Sequence, residues 1–386
     1  MWFLLACTGG GGGESVVDVV DSDTSPTIDV AIRPWTNLAG DDAVRVRFET
    51  LDDVPVTVTL GETAIEATRA VRTVSYAWPD EENVLELEHW DRSGQHVVHE
   101  ALFTGLSAGE HAWSVQLDEL YEGTVRLAEV GDTVRFAFVG DTMMPAQDDV
   151  FAQAAAGEPD LFLHGGDFQY QTLPGDTWAG TFHALGPVAE LAPIHVAIGN
   201  HEEEDHDELE QRTLPILGEQ GEGGDRWHAF SYGGVRFVSI DTESDLGADS
   251  EQVAWLTGEL EAAGDDIVVF FHRPIYTLGN HAPDTAKRDV LHPLFVEHGV
   301  DLVLQAHNHG YERFLVDDIP YVLDGGGGAA TYDMSAQVEA RPDEVELRQA
   351  VATNYGVTRV EVTAGGGMSM VRVDRDGETV DSATLR

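Results

Sequence analysis

Five apolar runs of this chain lead directly or within a few residues to side chains that can bind a metal ion through oxygen or imidazole nitrogen: Asp141, Asp167 with Tyr170, Asn200 with His201, His272, and His307 with His309. The most telling stretch is Leu161-Phe162-Leu163-His164-Gly165-Gly166-Asp167-Phe168-Gln169-Tyr170. Its apolar residues predict a buried strand, and its two glycines predict a tight loop that thrusts one acid beyond the sheet edge. Asp167 is therefore the candidate for a carboxylate shared by two ions. His307 and His309 are one residue apart, so on an extended segment both side chains point to one side and can serve adjacent ions. Hard oxygen donors mixed with imidazoles suit iron, zinc or manganese better than calcium or magnesium alone. A shared carboxylate sets two ions roughly 3.5–4 Å apart, an arrangement that makes hydroxide at neutral or lower pH. It also clamps the oxygens of an in-line displacement at phosphorus and needs no covalent nucleophile on the protein.

The elements that must position these residues are legible as strands. Val134–Val139 ends at Gly140-Asp141, the Leu161 run ends at Asp167, and Ile194–Ile198 ends at Gly199-Asn200-His201-Glu202. Ile267–Phe271 ends at His272, and Asp301–Gln305 leads to His307-Asn308-His309. Strand, loop and helix alternate from about residue 129 to residue 386, with helices expected over 148–156, 178–191 and 250–263. Ligand sites of layered α/β folds gather beyond the carboxyl ends of strands, where all five ends are expected to lie. A hairpin is expected over 230–240, a long acidic loop over 203–225, and a closing hairpin turned at Asp374–Gly377. Gly325–Gly328 lacks a following Lys-Ser/Thr and reads as a turn close to the site rather than a phosphate loop. Residues 28–128 differ: short alternating strands, including one at 84–87, are punctuated by Gly, Asp and Pro at intervals of roughly 8–12 residues, which predicts a β-sandwich. No catalytic constellation stands in that half, and Trp35, Trp78, Trp90 and Trp113 read as core.

The whole chain sets limits. Its 386 residues suffice for two domains, and 42% hydrophobic content excludes general disorder. No run approaches the roughly 18 apolar residues of a membrane helix. The formal net charge is −49, and Lys287 is the sole lysine beside 20 arginines. Such a surface repels nucleic acid and anionic headgroups, so both are excluded as partners. The lone cysteine, Cys7, excludes an internal disulfide and a cysteine metal site. Leu4-Leu5-Ala6-Cys7 resembles a bacterial lipoprotein signal, although it lacks a basic leader and its apolar stretch is short. Residues 1–27 are thus read as signal and flexible linker. A lipid anchor at Cys7 and an extracytoplasmic, cell-envelope or secreted location are the expectation.

Gly140-Asp141, Gly166-Asp167-x-x-Tyr170, Gly199-Asn200-His201-Glu202, Phe271-His272-Arg273-Pro274 and Ala306-His307-x-His309-x-Tyr311-Glu312-Arg313 occur in the order seen in calcineurin-like metallophosphoesterases. They are most similar to the purple acid phosphatase branch. General members have a histidine two residues after the first aspartate; here Met143 stands there, and Tyr170 occupies the place of the tyrosine that the purple branch uses instead. Ala306 replaces a usual glycine. The resemblance covers roughly residues 29–386. It implies a four-layer α/β (α+β) sandwich over 129–386 behind a fibronectin type III-like β-sandwich over 28–128, although the corner tyrosine of the latter is missing. It implies Asp141, Tyr170 and His309 on Fe(3+), with Asn200, His272 and His307 on a divalent ion (Zn, Fe or Mn) and Asp167 bridging. His201 is expected near the leaving group as general acid or phosphate donor, and His281 aligns with a second substrate-side histidine. The expected activity is acid phosphatase hydrolysis of small-molecule phosphate monoesters by attack of a metal-bound hydroxide. A phosphodiesterase or nucleotide hydrolase on the same site, and an inactive cell-surface binding protein, are the alternatives. His164, His183, His195, His206, His228, His292 and His298 have no motif context and read as structural; Glu312 and Arg313 read as packing groups.

Overall fold

The computed structural model describes residues 28–74, 94–170, 177–204, 209–264 and 266–386. Cys7, the expected strand at 84–87, Trp78, Trp90 and His206 lie outside the described residues. Among the described residues no helix is long and apolar enough to cross a membrane.

The apolar runs of the second half form two sheets packed face to face. Among the described residues one has six strands and the other eight. In the first, Thr133–Val139, Leu161–His164 and Ile194–Val196 pair in parallel. In the second, Val235–Ser239, Ile267–Phe270, Leu302–Gln305 and Ile319–Asp324 do the same. Every residue of Leu161–His164, Ile267–Phe270 and Leu302–Gln305 is buried. That is the pattern of strands covered on both faces, and it explains why these runs are continuously apolar. Alternate side chains enter different cores. Phe136, Phe138, Leu163, Phe237, Phe270 and Leu304 pack between the sheets. Ala137, Val139 and Phe162 meet helices Ala146–Ala156 and Thr177–Ala184 on one side. Val238, Val269 and Val303 meet Glu251–Ala262 and Thr285–His298 on the other. The order helix, sheet, sheet, helix is therefore four layers.

Local chemistry sets the ends of the outer helices. Ser250 caps its helix by accepting from the Val253 N–H at 3.2 Å, and Asp284 caps the next by accepting from Lys287 N at 3.0 Å. Gly299, at φ 67°, ends the latter in a left-handed turn. The sequence reading placed no helix at 285–298, because Pro293 lies inside it and interrupts the usual signature. The expected helix over 178–191 is two pieces, Thr177–Ala184 and Gly186–Ala189. Within the expected acidic loop after Glu202 the described residues form helical turns at Leu209–Thr213 and Leu214–Leu217. Burial of Leu209, Arg212, Ile216 and Leu217 supplies the reason.

The described residues between 28 and 127 form two four-stranded antiparallel sheets. Strands Thr63–Glu66, Thr68–Val74 and Leu120–Leu127 add to those expected. Trp113 is buried between these sheets, whereas Trp35 packs on Phe182 of the second half, with ring centroids 5.5 Å apart. Charge joins the halves as well. Buried Arg212 donates to Glu49 at 2.8 Å, and His96 meets the other oxygen of Glu49 at 2.9 Å.

Candidate metal centre

All five ligand-bearing strand ends lie on one rim of the double sheet. Loops from the two sheets are tied to each other there: Gly140 N donates to Asp324 O at 2.9 Å, and Gly327 N to Gly140 O at 3.1 Å. Three of the rim residues are held in the left-handed region, Asp141 at φ 60°, Asp167 at φ 51° and His307 at φ 70°. Such a backbone costs about 1–3 kcal/mol at each non-glycine residue and persists only where the surroundings impose it. Gly166, at φ 88°, lets the chain pass within contact of its neighbours. A Cβ there would stand 2.9 Å from His272 Nδ1 and 2.8 Å from Gly199 N. Ala306 fills the space between Gly140 and Gly165, so this departure from the usual glycine displaces none of the seven expected ligands.

The seven side chains form two adjoining groups. In the first, the Tyr170 hydroxyl lies 3.0 Å from Asp141 Oδ1 and 3.0 Å from His309 Nε2, and that nitrogen is 3.4 Å from the same carboxylate oxygen. In the second, His272 Nε2 lies 3.1 Å from Asn200 Oδ1, 3.1 Å from His307 Nδ1 and 3.3 Å from Asp167 Oδ1. Ligand atoms about 3 Å apart are what neighbouring positions around one ion require when each bond is about 2.1 Å. The donor atoms of Asp167, His272 and His307 all lie within 4.8 Å of one another.

Proton placement agrees with a cation in each group. His272 Nδ1 is 2.9 Å from Gly165 O, and His309 Nδ1 is 2.8 Å from Ala330 O. A carbonyl only accepts, so each Nδ1 carries its hydrogen and each ring turns its Nε2 toward the site. Burial opposes an imidazolium at His272, but Asp167, then Asp141 and Glu243, outweigh it and raise its pKa to about 10. The centre of the site is therefore a place where positive charge is stabilised. Burial also opposes ionisation of Asp167, yet His272 and His201 hold its pKa well below the usual carboxylate range. Burial and the Asp141 and Asp167 carboxylates push the Tyr170 hydroxyl far above its ordinary value. Only a cation beside it would favour the phenolate. Burial and His272 lower His307 to about 2, which keeps this ring neutral and able to donate a lone pair.

The residues around the groups hold them in place. His201 is half-buried, its ring 4.2 Å from that of Tyr170, and its backbone N–H donates to Asp167 Oδ1 at 2.9 Å. The His281 ring lies tilted at 38° beside that of His307, with centroids 4.5 Å apart, and His281 bounds, with Arg273, Pro274, Ala282 and Asp284, a cleft of about 230 Å³. Sequence reasoning quoted Glu202 within a motif but gave it no role. Its buried carboxylate accepts from the backbone N–H groups of Asp167, Phe168 and Gly199, each at 2.8 Å, and so fixes two ligand loops from below. Arg273 was likewise passed over. It donates to Glu243 at 2.8 Å and lies 3.3 Å from His307 Nε2. Tyr332 stacks on His309 at 3.9 Å, a contact with no sequence signal. His164 hydrogen-bonds Thr142 Oγ1 at 3.1 Å, and His292 bonds the Tyr321 hydroxyl at 2.7 Å.

Comparison with known proteins decides the family of this site. The family model for calcineurin-like phosphoesterases matches residues 134–311. Residues 134–311 are a calcineurin-like phosphoesterase domain. Several curated proteins similar to it are named purple acid phosphatases. The chain is 26% identical over 272 residues to human acid phosphatase type 7, covering 58% of this chain and 60% of that protein. It is 29% identical over 198 residues to probable inactive purple acid phosphatase 9 of Arabidopsis thaliana, covering 41% of this chain and 30% of that one. The matches thus span less than two thirds of these relatives' own lengths. The fold is similar to that of purple acid phosphatase PPD1 from yellow lupin seeds. There the TM-score is 0.75 at 17% identity, over 91% of this chain and 73% of the lupin chain. The similarity spans both halves of the molecule, whereas the family match stops within the phosphoesterase domain.

Proposed function

We propose that this protein is a dinuclear-metal phosphoester hydrolase, an acid phosphatase that acts on phosphate monoesters. The observation that carries the proposal is the pair of donor groups meeting at Asp167, in which imidazole lone pairs and acceptor oxygens converge at spacings a cation satisfies. Asp141, Tyr170 and His309 would hold a ferric ion, and Asn200, His272 and His307 a divalent one (zinc, iron or manganese), with Asp167 shared. Once bound, the pair supplies Lewis acidity toward phosphate oxygens and a water of lowered pKa.

The remaining steps belong to the chain. Glu202 and the His201 N–H orient the Asp167 carboxylate. Gly165 and Ala330 fix the tautomers of His272 and His309. The His201 Nε2 stands 3.9 Å from Asp167 Oδ2 on the open side of the cluster, where it can donate a proton to the departing ester oxygen. His281 and Arg273 line the cleft beside His307, where donors can meet the outer phosphate oxygens. Export and lipidation at Cys7 complete the proposal, and the mass of the mature N-terminus tests that part.

The test of function is turnover of aryl phosphate monoester against diester by protein loaded with iron and zinc, with Asp167→Asn as control. Monoester turnover that disappears in the control supports the proposal. Preference for the diester would move the assignment to a phosphodiesterase, and no turnover of either would leave a binding protein.

A further inference from the structure

Asn308 separates His307 from His309 and is fully buried. Its amide addresses a different part of the chain from the one its neighbours serve. Oδ1 accepts from the His281 backbone N–H at 2.8 Å, and Nδ2 donates to the His281 carbonyl at 2.9 Å. The side chain therefore pairs with both backbone groups of one residue, as an adjacent strand would. Nδ2 also donates to Thr277 Oγ1 at 2.9 Å. Thr277 Oγ1 accepts in turn from Gly279 N at 3.0 Å and donates to Glu312 at 2.5 Å. Glu312 takes a further bond from Leu278 N at 3.1 Å and one from Arg348 at 2.9 Å. The segment crosses the amide so closely that a Cβ on Gly279 would stand 2.9 Å from Asn308 Cγ.

We propose that Asn308 is a positioning residue for His281. It fixes the His281 imidazole over the cleft from the same segment that presents His307 and His309. One short stretch then sets the metal-facing and the substrate-facing geometry together. The catalytic consequence rests on the phosphoesterase reading above; the coupling of the two segments is a property of the chain alone.

Asn308→Leu keeps the number of heavy atoms and the branch at Cγ, and it removes all three hydrogen bonds. In the full-length, metal-loaded protein, amide hydrogen exchange across residues 277–283 should rise at least tenfold (about 1.4 kcal/mol), with metal content unchanged. Affinity for inorganic phosphate, read by calorimetry, should fall, and kcat/KM for an aryl phosphate should drop by about 10- to 100-fold, as displacement of a positioned group does. In a His281→Ala background, Asn308→Leu should cost nothing further. Thr277→Val, which removes only the hydroxyl relay, should show the same pattern more weakly and serves if Asn308→Leu does not fold. Unchanged exchange over 277–283, or losses that multiply in the double variant, would overturn the proposal. A wild-type protein that neither binds phosphate nor hydrolyses an ester would instead refute the phosphoesterase reading, and the exchange data would still decide the coupling.

Discussion

Replacing Glu202 with glutamine tests how the loops beneath the metal-ligand cluster are held. The carboxylate accepts three backbone N–H bonds of 2.8 Å, two on Oε2 from Asp167 and Gly199 and one on Oε1 from Phe168. Burial and the Asp167 carboxylate push its pKa upward. The three donors oppose that shift, because both oxygens are met by N–H groups and a carboxylic proton would face a donor. Bonds to a charged acceptor contribute about 1.5–3 kcal/mol each, and neutral ones about 1 kcal/mol. Glutamine can keep the two bonds on one oxygen and must turn its NH2 toward the third N–H. Relief of repulsion with Asp167 offsets part of the loss, leaving a net cost of about 2–4 kcal/mol. Urea unfolding of the metal-free protein reads that cost, and zinc titration should show affinity reduced by about 10- to 100-fold, as changes behind metal ligands produce. A variant within about 0.5 kcal/mol of wild type, with unaltered zinc affinity, would refute the reasoning. Glu202 would then be protonated in the folded protein, or the loops would be held by something else.

Other outcomes follow from the buried histidines and the charge. Burial alone lowers His228 from 6.5 to about 3, so this neutral ring supports the fold above pH 6.5 and the support is lost as pH falls toward 3. His228→Phe should remove that loss, so that relative to neutral pH wild type gives up about 2 kcal/mol more than the variant by pH 5; identical pH slopes would contradict the assignment. At a net charge of −49, an anionic ester is repelled at long range, so kcat/KM should rise with added salt. A flat or falling series would show that local fields dominate.

Much of the site was legible because the ligands follow five runs rich in Val, Ile, Leu and Phe, and such runs are buried parallel strands whose carboxyl ends share one rim. Asp167 was marked by the two glycines before it, and the His307–His309 spacing by the period of an extended chain. What was hidden depends on contacts between distant residues. Asn308 meets His281 across 27 positions, and Glu202 meets Asp167 across 35. Neither partner is marked by periodicity or composition. Helix Thr285–His298 was obscured by Pro293, and its cap at Asp284 was the available signal. Trp35 read as sandwich core, yet its ring packs on Phe182 of the phosphoesterase domain; only the assembled fold distinguishes a core from a junction.

The central claim is that one cluster holds two ions, one of them on Tyr170. Titration of metal-free protein with iron and then zinc, followed by metal analysis and visible absorption, tests it most directly. The account predicts two ions per chain and a tyrosinate-to-iron absorption band that vanishes in Tyr170→Phe. A single ion per chain, or a band that survives in Tyr170→Phe, would contradict it.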